Sequence, residues 1–208
     1  NNLRTGTDGE LITWDASGDP ATVAVGTATH VLTSNGAGAA PTFQAAAGGG
    51  AWTLIDSEAA SSSASITLTG LDTSVYDVFA LVLSNIEPAE DGRFLALTLG
   101  DASGLDTGAS DYSWHETNLP QNGTSQSGRN DEADSVIRCT EECGNATGEG
   151  IGGAIIYIFA KAGASSGTYT MVRGAYTMIN GSGVGGGGEL VAYRAASLAL
   201  TQLNVAMN

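Results

Sequence analysis

The segments GTDGELITWDASGDPATVA (residues 6–24) and GTATHVLTSNGAGAAPTFQ (residues 26–44) are two copies of one phrase. Superposed at an offset of 20 residues (26 − 6), Gly6 falls on Gly26, Leu11 on Val31, Ile12 on Leu32, Asp15 on Asn35, Gly18 on Gly38 and Val23 on Phe43. A repeated unit is one small supersecondary element that buries its apolar face only by stacking on neighbours. Each copy offers a short apolar pair, Leu11-Ile12 or Val31-Leu32, and one further apolar residue beyond its turn. Two copies do not make a core. The partners of Leu11, Ile12, Val31 and Leu32 are therefore further repeats, the next domain, or the same segment in other copies of the chain.

The stretch AAAGGGA (residues 45–51) reads as a flexible joint, with a compact domain beginning at Trp52. The expected organisation is a repeat or shaft segment over 1–44, a joint over 45–51 and one domain over 52–208. With 30 Gly and only 14% charged residues, the chain carries Gly, Ala, Ser and Thr where a helical protein carries Lys, Glu and Leu. That composition predicts an all-β fold. In SASITLTGL, Ala64, Ile66 and Leu68 alternate with Ser65, Thr67 and Thr69, the period of a half-buried strand. VYDVFALVLSNI is more continuously apolar and fits a central strand, with RFLALTLG as its hairpin partner across EPAEDG. Residues 100–150 are polar and read as long loops. GAIIYIFAK, GTYTMVRGAYTMI and ELVAYRAASLALTQLNVAM supply three or four more strands, separated by AGASSG and GSGVGGGG, with a bulge expected near Gln202. Seven or eight such strands predict an antiparallel, jelly-roll-like β-sandwich.

A net charge of −15, from 7 Lys plus Arg against 22 Asp plus Glu, repels nucleic acid and anionic bilayers over most of the surface. No apolar run reaches the roughly 18 residues that span a membrane, so neither nucleic-acid binding nor membrane insertion is expected. The opening NNLRTG has no initiator Met and no signal-peptide pattern, and reads as a fragment or processed product.

Catalytic chemistry needs a nucleophile with a base, a carboxylate pair or a metal cluster. His30 lies in the repeat and His115 sits among aromatics in DYSWHE, with no nucleophile assigned to it, so no catalytic residue is named. Cys139 and Cys143 are four residues apart and are open to three readings: a disulfide-closed loop, half of a metal site, or two free thiols. Asp101, Asp106 and Asp111 in GDASGLDTGASD have the oxygen chemistry of a Ca²⁺ site without EF-hand spacing, or form a solvated acidic loop. The sequons at Asn122, Asn145 and Asn180 are what Gly/Asn/Ser/Thr-rich loops produce by chance. Tyr112, Trp114 and His115 are the receptor-binding candidates: an exposed Tyr-Trp pair stacks on a sugar ring or anchors a protein contact, or else plugs the space beneath a long loop.

HVLTSNGAGAAPTFQ resembles segments that recur in the tail-fibre shafts of tailed bacteriophages, and residues 52–99 are similar to the opening of the small β-sandwich that commonly follows such a shaft. The likeness covers roughly the first half of the chain. Resembling proteins continue past the exit strand into a Ser-Gly-Asn turn and a final strand, whereas this chain stops at LNVAMN. The resemblance implies a virion structural protein: a fibre, spike or capsid-decorating protein, commonly a homotrimer, attached to other virion proteins through residues 1–44. Its sandwich would face a host surface receptor, plausibly a glycan. Leu11, Ile12, Val31 and Leu32 would then line the three-fold axis, and divalent ions such as Ca²⁺ would bridge the acidic surface to an anionic host envelope. The alternative class is a carbohydrate-binding or adhesin module of a secreted cellular protein. A depolymerase tailspike would need the rungs of a long β-helix, which the chain lacks.

Overall fold

A computed structural model describes residues 5–46, 52–121, 123, 126–160, 169–196 and 198–208. Joint residues 47–51, the AGASSG turn and Asn122 lie outside them. The chain forms two compact units, Asn1–Thr53 and Leu54–Asn208.

In the first unit each repeat is a β-hairpin. Strands β1 (Leu11–Trp14) and β2 (Pro20–Val23) pair antiparallel, as do β3 (His30–Thr33) and β4 (Thr42–Ala45). The matched residues of the repeat explain the matched turns. Gly18 and Gly38 both hold a left-handed backbone, φ 79° and 80°, which glycine adopts without steric cost. Asp15 accepts hydrogen bonds from the Ser17 and Asp19 amides at 2.8 and 2.9 Å, and its counterpart Asn35 donates to the Ala40 carbonyl at 2.7 Å. The longer second turn shifts the pairing by one residue: Leu11 faces Val23, whereas Leu32, not Val31, faces Phe43. Both hairpins leave apolar side chains in solvent, with Ile12 58% and Trp14 63% exposed, and Leu11, Val31 and Leu32 also exposed.

The second unit contains β5 (Ser65–Thr69), β6 (Val78–Ile86), β7 (Leu95–Asp101), β8 (Gly104–Leu105), β9 (Tyr112–Pro120), β10 (Ser127–Asp134), β11 (Ile137–Arg138), β12 (Gly150–Phe159), β13 (Thr170–Ile179), β14 (Gly185–Arg194) and β15 (Gln202–Met207). They form a six-stranded sheet, β10-β9-β14-β13-β12-β6, and a five-stranded sheet, β11-β7-β15-β5 with β8 on β7. All pairings are antiparallel. One apolar cluster draws on both sheets, including Leu95, Leu97 and Leu99 from β7 and Ile156, Ile158 and Val172 from the facing sheet. This is the expected all-β antiparallel sandwich.

Four local expectations are corrected. The β6–β7 hairpin does not exist: β6 is the edge of one sheet and β7 is central in the other, so EPAEDG is a crossover between layers. Residues 100–150 contain β9 and β10 rather than loops alone. Of the separator GSGVGGGG, residues 181–184 form the expected turn, but Gly185–Gly188 lie within β14, where a Cβ on Gly188 would collide with the Thr117 carbonyl oxygen and one on Gly187 would sit 2.6 Å from the Tyr176 carbonyl oxygen. No bulge is needed at Gln202, since buried Leu198 and Leu200 belong to the connection that carries the chain from β14 across to β15.

Candidate functional site

The inward residues of β9 are Tyr112, Trp114, Glu116 and Asn118, while His115 points to the outer face. Tyr112 is 0% exposed. Its phenol accepts from the Leu99 amide at 2.9 Å and donates to the Asp106 carbonyl at 3.0 Å, joining the two sheets. Burial raises its pKa above the ordinary tyrosine value. The Trp114 indole is buried too, with Nε1 donating to Asp134 Oδ2 at 3.0 Å. Neither ring is free to stack on a ligand: of the two readings of this cluster, Tyr112 and Trp114 take the buried one, and an exposed stacking pair is excluded for them. Of the three candidates, only His115 presents its side chain to solvent.

His115 borders a shallow cavity of about 300 Å³ on the outer face of the six-stranded sheet. The ladder sets its walls. His115 lies opposite Asn130 of β10 on one side and Val191 of β14 on the other, and Ser113 lies opposite Tyr193. Glu132 closes the rim, and Tyr193 packs against Tyr169 with ring centroids 5.3 Å apart. A phenol ring, an aliphatic wall, an imidazole, a carboxamide and a carboxylate around one depression can hold a ring with hydroxyls by stacking and hydrogen bonding. On the other face of β10, Arg129, opposite Glu116, pairs with Glu141 at 2.8 Å, and Arg138 pairs with the same carboxylate at 3.0 Å while lying over the Phe94 ring.

Glu116 is fully buried behind this surface. Its Oε1 accepts from the Tyr176 hydroxyl, and Oε2 has no hydrogen-bond partner among the described residues. Burial is the main cause raising its pKa; Glu141 adds to the rise, while the Tyr176 hydrogen bond, Arg138 and Arg129 oppose it.

The three aspartates do not converge on a cation. Asp101 accepts from the Ser103 amide, Asp106 pairs with Arg194 Nε at 2.5 Å, and Asp111 accepts from the Gly108 amide at 2.6 Å. Among the described residues no group of three or more His, Cys, Asp or Glu side chains is placed to hold a metal ion. Cys139 and Cys143 are buried free thiols rather than a disulfide, their sulfurs donating to the Ile137 and Arg93 carbonyls. Burial pushes the Cys143 thiol up to about 11, and also raises Cys139.

Sequence reasoning missed Asn130, Glu132, Val191 and Tyr193. Tyr193 carried a usable signal, as an outward-register residue in the alternation of β14, whereas the all-polar β10 carried none. Compared with protein-family models, curated proteins and solved structures, the chain matches none.

Proposed function

We propose that this protein is a non-enzymatic virion appendage of the fibre, spike or capsid-decorating type. It self-associates through residues 1–44, as a homotrimer by the resemblance, and the same segment attaches it to other virion proteins. Its sandwich meets the host surface. The observation that carries this reading is the pair of tandem hairpins with Leu11, Ile12, Trp14, Val31 and Leu32 in solvent. An isolated two-stranded hairpin is marginal in water, so a chain that repeats one is built to bury it against other copies. The shaft-like phrase over residues 30–44 supports the same assignment.

The receptor contact in this reading is the His115 cavity, with Tyr193 replacing Tyr112 and Trp114 as the stacking aromatic. An acidic chain approaches a neutral glycan more readily than an anionic one, unless divalent cations bridge the two. The test is adsorption of the labelled full chain to a panel of intact bacteria, with and without chelator. Saturable binding to particular strains, weakened about tenfold or more by Tyr193→Ala, supports the reading. Absence of binding across the panel, or binding unchanged by Tyr193→Ala, would overturn the receptor assignment. Adsorption unchanged by chelator would remove the role for Ca²⁺.

A further inference from the structure

The chemistry of the His115 cavity narrows what it can hold. Strand β10 brings two carboxylates to it, Asp131 and Glu132, and among the described residues no lysine or arginine lines it. Arg173, which the register puts on the same outer face, stands opposite Val191 on the next strand, outside the lining, with Glu189 one row away. A sulfated, phosphorylated or carboxylated sugar entering the cavity would therefore meet two anions and no lining guanidinium or ammonium.

Glu132 reaches the rim through a break in the ladder. From Trp114 to Tyr112 β9 advances two residues, while β10 advances three, from Asp131 to Asp134. This is a β-bulge, a device that turns a side chain out of the alternation of its strand. Both ends of it are pinned. Asp131 Oδ1 accepts from the Ala133 amide at 3.0 Å, and Asp134 Oδ2 accepts from the Trp114 indole. The Glu132 carboxylate itself is in no ion pair among the described residues. An anion carried on a fixed backbone without a counter-ion is a preorganised partner for a cation. Tyr193 adds a second attraction, because the face of a phenol ring draws a cation as well as stacking on a sugar ring, and this ring is 37% exposed beside its contact with Tyr169.

The geometry points to a ligand that carries a positive charge on a hydroxylated ring: an amino sugar whose amine is not acetylated. Its ring lies against Tyr193 and Val191, and its ammonium meets Glu132 with Asp131 behind it. A cavity of about 300 Å³ is at the small end of ligand sites, so it takes the end or a short stretch of a glycan. The inference rests on the receptor reading of the same cavity and names the chemistry of that receptor.

The test is calorimetric titration of the full chain with the β-1,4-linked tetramer of glucosamine and with its fully N-acetylated counterpart, buffered where the free amines are charged. The two probes share ring, linkage and ring hydroxyls and differ in charge. The expected result is that the glucosamine tetramer binds about fivefold or more tightly than the acetylated one, and displaces the labelled chain from bacteria that adsorb it. Glu132→Gln should remove most of that preference, while Glu87→Gln, which deletes the same charge from the exposed connection between β6 and β7, should leave it. Equal binding of the two probes, binding of neither, or a preference that survives Glu132→Gln would overturn the amine, and adsorption that still depends on Tyr193 would leave the receptor cavity standing. A preference lost equally in Glu87→Gln would mean diffuse attraction to an acidic chain, and would also overturn the inference. Binding of neither probe together with adsorption indifferent to Tyr193→Ala would overturn the inference and the receptor reading alike.

Discussion

The buried polar residues of β9 decide how the sandwich responds to pH and to single substitutions. Glu116 has a folded pKa raised mainly by burial, so its contribution to stability is complete below the ordinary carboxyl range and is lost as pH rises through the raised value. Thermal unfolding of Glu116→Gln across pH should therefore lack the decline that Glu116 imposes on the parent as pH rises above the ordinary carboxyl range. Parallel curves for the two proteins would refute this. Tyr112→Phe leaves the Leu99 amide without its buried acceptor, and should cost about 2 kcal/mol, read as a fall of about 4 to 8 °C in the melting temperature. A change within about 1 °C would contradict the role of the phenol as a tie between sheets. The thiols give a third check. Cys139 and Cys143 should be unreactive to a thiol reagent in the native protein, and two thiols per chain should titrate after unfolding without reductant. Recovery of no thiol on unfolding would instead mean a disulfide.

At the level of elements, the glycine run of β14 is where local propensity and tertiary structure disagree most. Gly185–Gly188 reads as a turn, yet it is a paired strand, and at Gly187 and Gly188 the backbones of β13 and β9 come too close to admit a Cβ. Gly188→Ala should destabilise the sandwich by about 3 kcal/mol or more, measured by denaturant unfolding, since the Thr117 carbonyl on β9 cannot move without breaking the ladder. A cost below about 1 kcal/mol would mean that β9 and β14 are farther apart than described. The same residues show what a sequence reveals. The strands β5, β12 and β13 were legible because their alternating apolar residues reach a single core. β9 begins with the same alternation in Tyr112 and Trp114, then hides it when Glu116 and Asn118 take inward positions. β10 has no apolar alternation because it is a charged, exposed edge, the composition that keeps a sheet from pairing further. The β6–β7 hairpin failed because proximity in sequence does not say which sheet a strand joins. The cavity was half visible: His115 was named, while Val191 and Tyr193 reach it through a register that no local pattern encodes.

For the whole molecule, apolar surface is exposed in both units. The hairpins of the first unit expose the residues that the repeat singles out, and the sandwich exposes a patterned sheet face. A chain with a net charge of −15 resists association electrostatically, so apolar surface that it retains in solvent points to contacts specific enough to overcome that repulsion. Repetition was the most informative feature of the sequence for this scale, and the sheet face was not legible because its residues come from separated strands. The central claim is that the hairpins bring copies of the chain together. The direct measurement is the light-scattering mass of the full chain beside that of an Ile12→Asp/Leu32→Asp variant. The account predicts a multiple of 20.9 kDa for the parent, three-fold if the shaft resemblance holds, and 20.9 kDa for the variant. A parent that is monomeric at 20.9 kDa would contradict it, and would favour a binding module whose repeats dock on a different protein.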